Sequence, residues 1–316
     1  MATKPTAYPE WDTTQINAIV PDATHKAEGW LNPAGVPEKP PFQTFNYWMN
    51  EVYRWILYLD QAAASRGYID GCIINNAAAD LTNDIEIGDG EATFTDGTYF
   101  ITFPVLNAPT KQIDVAWTEG NNAGGRSGPL VANTHYYFFL IAKNDGTIDA
   151  GFDTSATAAN LMAASAASGY VWWRQIMSIF TNSTSGIINF SQYPNGYVYF
   201  KSEITDVNDS AGTISSVYTA TITVPPNHIG FFNIYGEASA ATTVSIVLKR
   251  KNGTVSQATC STGDDPLDPQ YKFITGQVIF QVDSNMQMDY TIGGNGVWVR
   301  ANIITVGFIS NRGKDL

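Results

Sequence analysis

From Gly67 to its last residues the chain keeps returning to one pattern: a short run of β-branched and aromatic residues, a turn signal, then another run. Successive side chains of a strand point to opposite faces, so such alternation predicts half-buried β-strands. Tyr68–Ile74, Asp84–Ile87, Glu91–Thr95, Thr98–Phe103, Val171–Phe180 and Ile187–Gln192 read this way. Tyr136-Tyr-Phe-Phe-Leu-Ile-Ala142 is apolar throughout, which suits a strand buried on both faces. It runs into Asn144-Asp145-Gly146, a turn signal, and then into Thr147–Phe152 as its hairpin partner. Beyond residue 200 the pattern continues in Val217–Val224, Gly230–Ala238, Thr243–Arg250, Tyr271–Asp283, Met288–Ile292 and Val297–Ile309. That spacing predicts an antiparallel β-sandwich or jelly roll for this last part. Two short helical pieces are expected among the strands, at Ile113–Glu119 and Ala158–Ser168.

The first 65 residues are different. Pro5, Pro9, Pro21, Pro33, Pro37, Pro40 and Pro41 forbid regular structure over most of residues 1–42. The segment nevertheless carries Trp11 and Trp30, large apolar anchors that an idle tail would not need. It reads as an extended arm lying along another surface. A helix follows from Thr44, a capping residue, to the neighbourhood of Gly67. Phe45, Met49, Val52, Ile56 and Leu59 fall on one narrow seam, spaced 4, 3, 4 and 3 residues apart. Trp48, Tyr53, Trp55 and Tyr58 extend the apolar surface around most of the circumference, so the helix must be covered. Either it packs beneath a β-domain of its own chain, or several copies associate about an axis; the seam favours the second.

Composition removes several function classes. There are 17 Lys plus Arg against 29 Asp plus Glu, giving a formal charge of −12 with no basic block, so a nucleic-acid partner is not expected. No stretch approaches the roughly 18 apolar residues of a membrane span, and Met1–Pro5 leads into no signal-peptide core. Membrane insertion and Sec-dependent export are therefore not expected. Cys72 and Cys260 make no disulfide framework, and His25, His135 and His228 share no metal-ligand spacing. Nucleotide-binding and hydrolase motifs are lacking, so neither an enzyme nor a cofactor is expected.

What remains is binding chemistry. The loop Ser261–Pro269 carries Asp264, Asp265 and Asp268, oxygen ligands that suit a hard cation or a polar receptor, although the spacing is not that of an EF-hand. A solvated acidic loop is the plainer reading. Asp80, Asn83, Asp84 and Asp89 are read as turn and edge-strand residues, and His135 and His228 as structural. Tyr193, Tyr197, Tyr199, Tyr271, Tyr290 and Trp298 combine a flat apolar face with a polar tip, which suits stacking on sugars or burial at interfaces. Tyr271, Tyr290 and Trp298, with the three aspartates, are the candidate receptor-binding set.

Pro9-Glu-Trp11, Ile19-Val-Pro21, Lys26-Ala-Glu-Gly-Trp30 and the run from Lys39 to Asp60 resemble the start of tail-fibre and baseplate-appendage proteins of tailed bacteriophages. Asn83-Asp-Ile-Glu-Ile87, Lys111–Trp117, Thr134-His-Tyr-Tyr-Phe138, Asp149–Ser155 and Arg174–Ile179 are similar to a domain recurring in phage tail proteins. The resemblance covers about residues 8–192. It implies a virion structural protein, assembled in the bacterial cytoplasm and homotrimeric, whose N-terminal region attaches to other tail or baseplate proteins. A distal β-domain would then meet a host glycan or outer-membrane protein. The expected organisation is a mainly β chain in three parts: arm and helix over 1–65, an antiparallel β-rich body over 66–200, and an antiparallel C-terminal β-sandwich over 201–316. The alternatives are an architectural adaptor holding another fibre and a polysaccharide depolymerase. Depolymerases of this kind carry a long repetitive β-helix, and no such period is present.

Overall fold

The computed structural model describes Met49, Val52, Tyr53 and residues 67–209, 216–253, 256–261, 263–264 and 271–310. The chain divides into two compact units, 1–65 with 97–102 and 66–96 with 103–316. In the first unit Met49, Val52 and Tyr53 are helical and exposed. Trp11, Trp30, Phe45, Trp48, Trp55, Ile56 and Leu59 lie outside the described residues.

The strands are β1 (Ile69–Gly71), β2 (Ile74–Asn76), β3 (Asp84–Ile87), β4 (Gly90–Thr95), β5 (Phe100–Val105), β6 (Lys111–Ala116), β7 (Ala123–Arg126), β8 (His135–Ala142) and β9 (Ile148–Asp153). After a short helix α1 (Ala159–Ser165) come β10 (Trp172–Phe180), β11 (Phe190–Gln192), β12 (Tyr197–Asp209), β13 (Val217–Thr221), β14 (Ile229–Arg250), β15 (Ser256–Ser261), β16 (Gly263–Asp264), β17 (Tyr271–Gln281) and β18 (Gln287–Ile309). The chain is mainly β, as the alternating pattern predicts. No described helix is long and apolar enough to cross a membrane.

In the first half of the second unit the pairings close into a ring. Residues 69–76 and 84–95 form one continuous hairpin, Ile69 opposite Ala92 and Ile74 opposite Ile87. The other edge of 84–95 takes β6 at its start, Ile85 opposite Lys111, and β10 at its end, Thr95 opposite Trp173. From β10 the ladder passes through β8, β9 and β7 and returns to β6. Closure of this kind leaves few unpaired strand edges.

The apolar strand β8 sits where the sequence demands. Phe138 packs against its cross-strand partner Phe152 of β9, with ring centroids 4.8 Å apart. Phe139 and Ile141, on the opposite face, are covered by Leu161 of α1 and by Tyr170. Both faces are thus dry, so an unbroken apolar run costs nothing in exposed surface. The Asp153 carboxylate fixes α1 over this strand by accepting from the Leu161 N–H and the Asn160 amide, both at 2.8 Å.

Two local expectations change. Ile113–Glu119 begins as strand β6 rather than a helix, with Lys111 and Gln112 paired on both edges. The body is mixed rather than purely antiparallel, because β7 runs parallel to β6 and to β9. The connection that allows a parallel neighbour so close in sequence is anchored by Lys111. Its buried ammonium is 3.0 Å from Asp149 and donates to the Thr118 and Gly120 carbonyls at 2.7 and 3.3 Å. Asp149 in turn accepts from the Gly120 N–H at 3.1 Å.

The second half is built on two long antiparallel strands. β14 and β18 pair along their whole lengths, with a break in register between Ser239 and Thr243. β12 and β13 flank β18, while β17 and β15 flank β14. Ten residues of extended strand span roughly 33 Å. Yet a Cβ added at Gly236 would lie 3.1 Å from Ile246 of the same strand and 2.9 Å from Trp298. The long strands therefore fold over at the break, and their two ends face each other as a sandwich with Phe232, Ile234, Ile246, Leu248, Met288 and Ile303 inside.

Candidate binding cleft and aromatic face

Strand β12 is interrupted twice along its length. It opposes β18 at Tyr199–Gly307 and again at Ile204–Thr305, so residues 200–203 bulge out of the ladder. Phe200 instead faces Phe190 of β11, and the Lys201 N–H donates to the Asn189 carbonyl at 2.9 Å. Asp206 is a second extra residue, between Thr205 opposite Ile304 and Val207 opposite Ile303. Bulges bend a strand and re-aim its side chains. These two open a cleft of about 650 Å³ between β12, the 181–189 turn, and the 221–223 segment beside Met286.

The cleft has an apolar floor of Phe180, Ile187, Ile188, Ile204, Ile222 and Met286. Its walls are hydroxyls, amides and two carboxylates, Glu203 and Asp206, with no Lys, Arg or His among the lining residues. Asp206 is a structural clasp: it accepts from the Thr223 hydroxyl at 2.6 Å, the Thr223 N–H at 3.1 Å, and the Thr305 hydroxyl. Burial pushes its carboxyl above the ordinary range and those hydrogen bonds pull it partly back. Glu203 commits one oxygen to the Asn233 amide at 2.7 Å. Asn182 orders its turn by accepting from the Thr184 N–H and hydroxyl and the Gly186 N–H.

A second feature lies on the solvent face of the sandwich. Tyr199, Gly307 and Phe231 stand in one cross-strand row, and Tyr197, Ile309 and Ile229 in the next. Gly307 carries no side chain, so the flanking rings close over it: Tyr199 and Phe231 have centroids 5.5 Å apart, and Tyr197 and Phe231 5.4 Å at 4° from parallel. Tyr193 meets Tyr199 edge-on at 5.9 Å. Exposed Ile279 continues the row of Phe231 onto β17. Of the aromatic residues expected to stack, the structure gathers Tyr193, Tyr197 and Tyr199 here, with Phe231 as an unforeseen member.

Two members of the receptor-binding set, Tyr290 and Trp298, are buried. Tyr290 is 6% exposed, stacks on Tyr218 at 5.2 Å and donates to Asp209 at 3.4 Å. Trp298 is 5% exposed, inside the sandwich. Both rings face the core, because they share the inward phase of β18 with Met288 and Ile292. Tyr271 begins β17 opposite Ser239, and Asp264 lies in β16 opposite Lys272. Asp265 and Asp268 fall outside the described residues. Asp80 is a turn residue, accepting from the Thr82 and Asn83 backbone and side chains, which holds its carboxyl down at about 2. Among the described residues no group of three acidic, His or Cys side chains could hold a metal ion. His135 and His228 are buried against Tyr137, Phe180 and Phe308.

No family model matches the chain, and no curated protein matches it. Among solved structures, dimeric latent PorU from Porphyromonas gingivalis matches at 10% identity and a TM-score of 0.23, over 77% of this chain and 24% of PorU. The chain thus spans about a quarter of that protein. The VP2 subviral particle of infectious bursal disease virus matches at 11% identity and a TM-score of 0.22, over 78% of this chain and 71% of VP2.

Proposed function

We propose that this chain is a structural protein of a tailed-phage virion: a homotrimeric tail fibre or baseplate appendage. On this reading residues 1–65 attach it to other tail proteins, and the C-terminal β-domain meets the host surface. The observation that carries the proposal is the state of the helical seam. Met49 and Val52, three positions apart on that seam, are 55% and 52% exposed, and Tyr53 beside them is exposed as well. Exposed apolar residues on a helix call for a partner, and the alternating sequence spacings of four and three suit copies of the same chain. The resemblance of residues 8–192 to phage tail components supplies the setting, and the absence of basic clusters agrees with a surface-binding rather than a nucleic-acid-binding role.

Sedimentation equilibrium of the full chain tests this. Three copies per particle are expected, and Val52→Lys should shift the population toward monomer. A monomer at micromolar concentration overturns the proposal. Retention of the full chain on susceptible cells separates a host-binding appendage from an adaptor that only holds another fibre.

A further inference from the structure

We infer that the cleft beside the β12 bulges is a binding site for an uncharged saccharide. Three properties of the cleft lead there. First, it holds unused hydrogen-bonding capacity: the side chains of Asn133, Ser183, Ser202, Thr205 and Thr221 line it and bond to no described residue. Hydroxyls and amides that both donate and accept match the hydroxyls of a sugar, which do the same. Second, an apolar floor lies under those polar walls. A pyranose presents that combination in reverse, a face of C–H groups rimmed by hydroxyls, and Ile204, Ile222 and Met286 would cover the C–H face. Third, the charge pattern excludes other small ligands. With no cationic group in the lining, a phosphate, sulfate or uronate has nothing to neutralise it and meets Glu203 instead. A polyamine finds one exposed carboxylate, Glu203, with an oxygen to spare, because the Asp206 carboxylate already accepts from three donors.

The size also fits. About 650 Å³ lies within the range of roughly 300–1,000 Å³ typical of small-molecule sites. The walls are formed by a strand twice displaced by bulges, a device that re-aims side chains beside binding sites.

The inference deepens the attachment reading and takes its biological setting from it, but the binding itself does not depend on assembly. Saturation-transfer NMR on the full chain provides the test, with glucose, galactose, mannose, N-acetylglucosamine, lactose and maltose as neutral probes. Glucuronate serves as the anionic probe and spermidine as the cationic one. Transfer to at least one neutral sugar and none to glucuronate is expected. Ser202→Trp and Thr221→Trp, both at exposed positions that tolerate a large ring, should each weaken that binding at least tenfold while the circular dichroism stays unchanged. No transfer to any neutral probe overturns the inference. So does binding that survives both substitutions, or a response to spermidine alone. A monomer that binds sugar sinks only the assembly reading, and a trimer that binds none sinks only this one.

Discussion

Lys111 and Asp149 show how much of this fold is held by single side chains. Both are buried, and burial pulls the ammonium down and pushes the carboxyl up, each partly restored by the other's charge. All three ammonium protons have acceptors, so the pair is satisfied rather than strained. Removing one member strands the other: Asp149→Ala should cost about 3–5 kcal/mol, read from urea unfolding midpoints. The Lys111→Met, Asp149→Leu double variant should recover most of that loss, since no lone charge is then left inside. His135 makes a second residue-level prediction. Burial, reinforced by nearby His228, holds its pKa down to about 3, far below the roughly 6.5 of an unfolded histidine. A depressed histidine stays neutral when folded while the unfolded chain takes up a proton. Its contribution is intact above about pH 6.5 and drains away as pH falls toward 3. Stability of the parent should therefore drop more steeply between pH 7 and pH 5 than that of His135→Asn, and parallel slopes would remove the effect.

At the scale of elements, the aromatic face depends on β18 having no side chain at residue 307. A Cβ there would sit 2.1 Å from the Val198 carbonyl oxygen and 3.0 Å from the Tyr199 Cα. Neither is a flexible chain end that can step aside. Gly307→Ala should lose about 1–3 kcal/mol of stability, with the stacked Tyr197, Tyr199 and Phe231 rings prised apart, visible as a change in near-ultraviolet circular dichroism. An unchanged spectrum would mean that the rings do not close over the strand. The same elements mark what could be read from the chain. Strand existence follows from alternation, and the doubly buried β8 follows from its unbroken run Tyr136–Ala142. The bulges of β12 left only a faint trace. Buried positions shift from even numbers, Val198 and Phe200, to the odd Val207, which is the phase slip an extra residue produces. The cleft was hidden for that reason, because a slip of register is a cross-strand fact. Tyr290 and Trp298 illustrate the converse. Each shares a phase with buried apolar neighbours, and that local signal outweighs the general suitability of tyrosine and tryptophan for recognition. Lys111 could not have been foreseen, since a lysine in a strand normally faces water.

At the scale of the molecule, the ring of strands and the sandwich behave as one packed body. Strand β11 pairs with β2 on one side and β12 on the other, so the ladder runs without interruption from one half into the next. Beneath that ladder the rings of Phe180, Phe200 and Phe308 interlock, with centroids 6.0–6.4 Å apart. His135 of β8 joins this cluster through Phe180, and His228 joins it through Phe308. Phe308 belongs to the sandwich and Phe180 to the ring of strands, so neither half can lose its fold without exposing the other's buried aromatic surface. Cooperative unfolding follows from shared burial of this kind. Phe308→Ala should cost about 3–5 kcal/mol and should lower the stability of both halves together. Hydrogen exchange under increasing urea makes the distinction: amides of β8 and β14 are expected to lose protection at the same denaturant concentration in both parent and variant. If β14 opens well before β8, the sandwich is an independent module. The cleft, whose walls come from both halves, would then form and dissolve with the contact between them rather than with the fold.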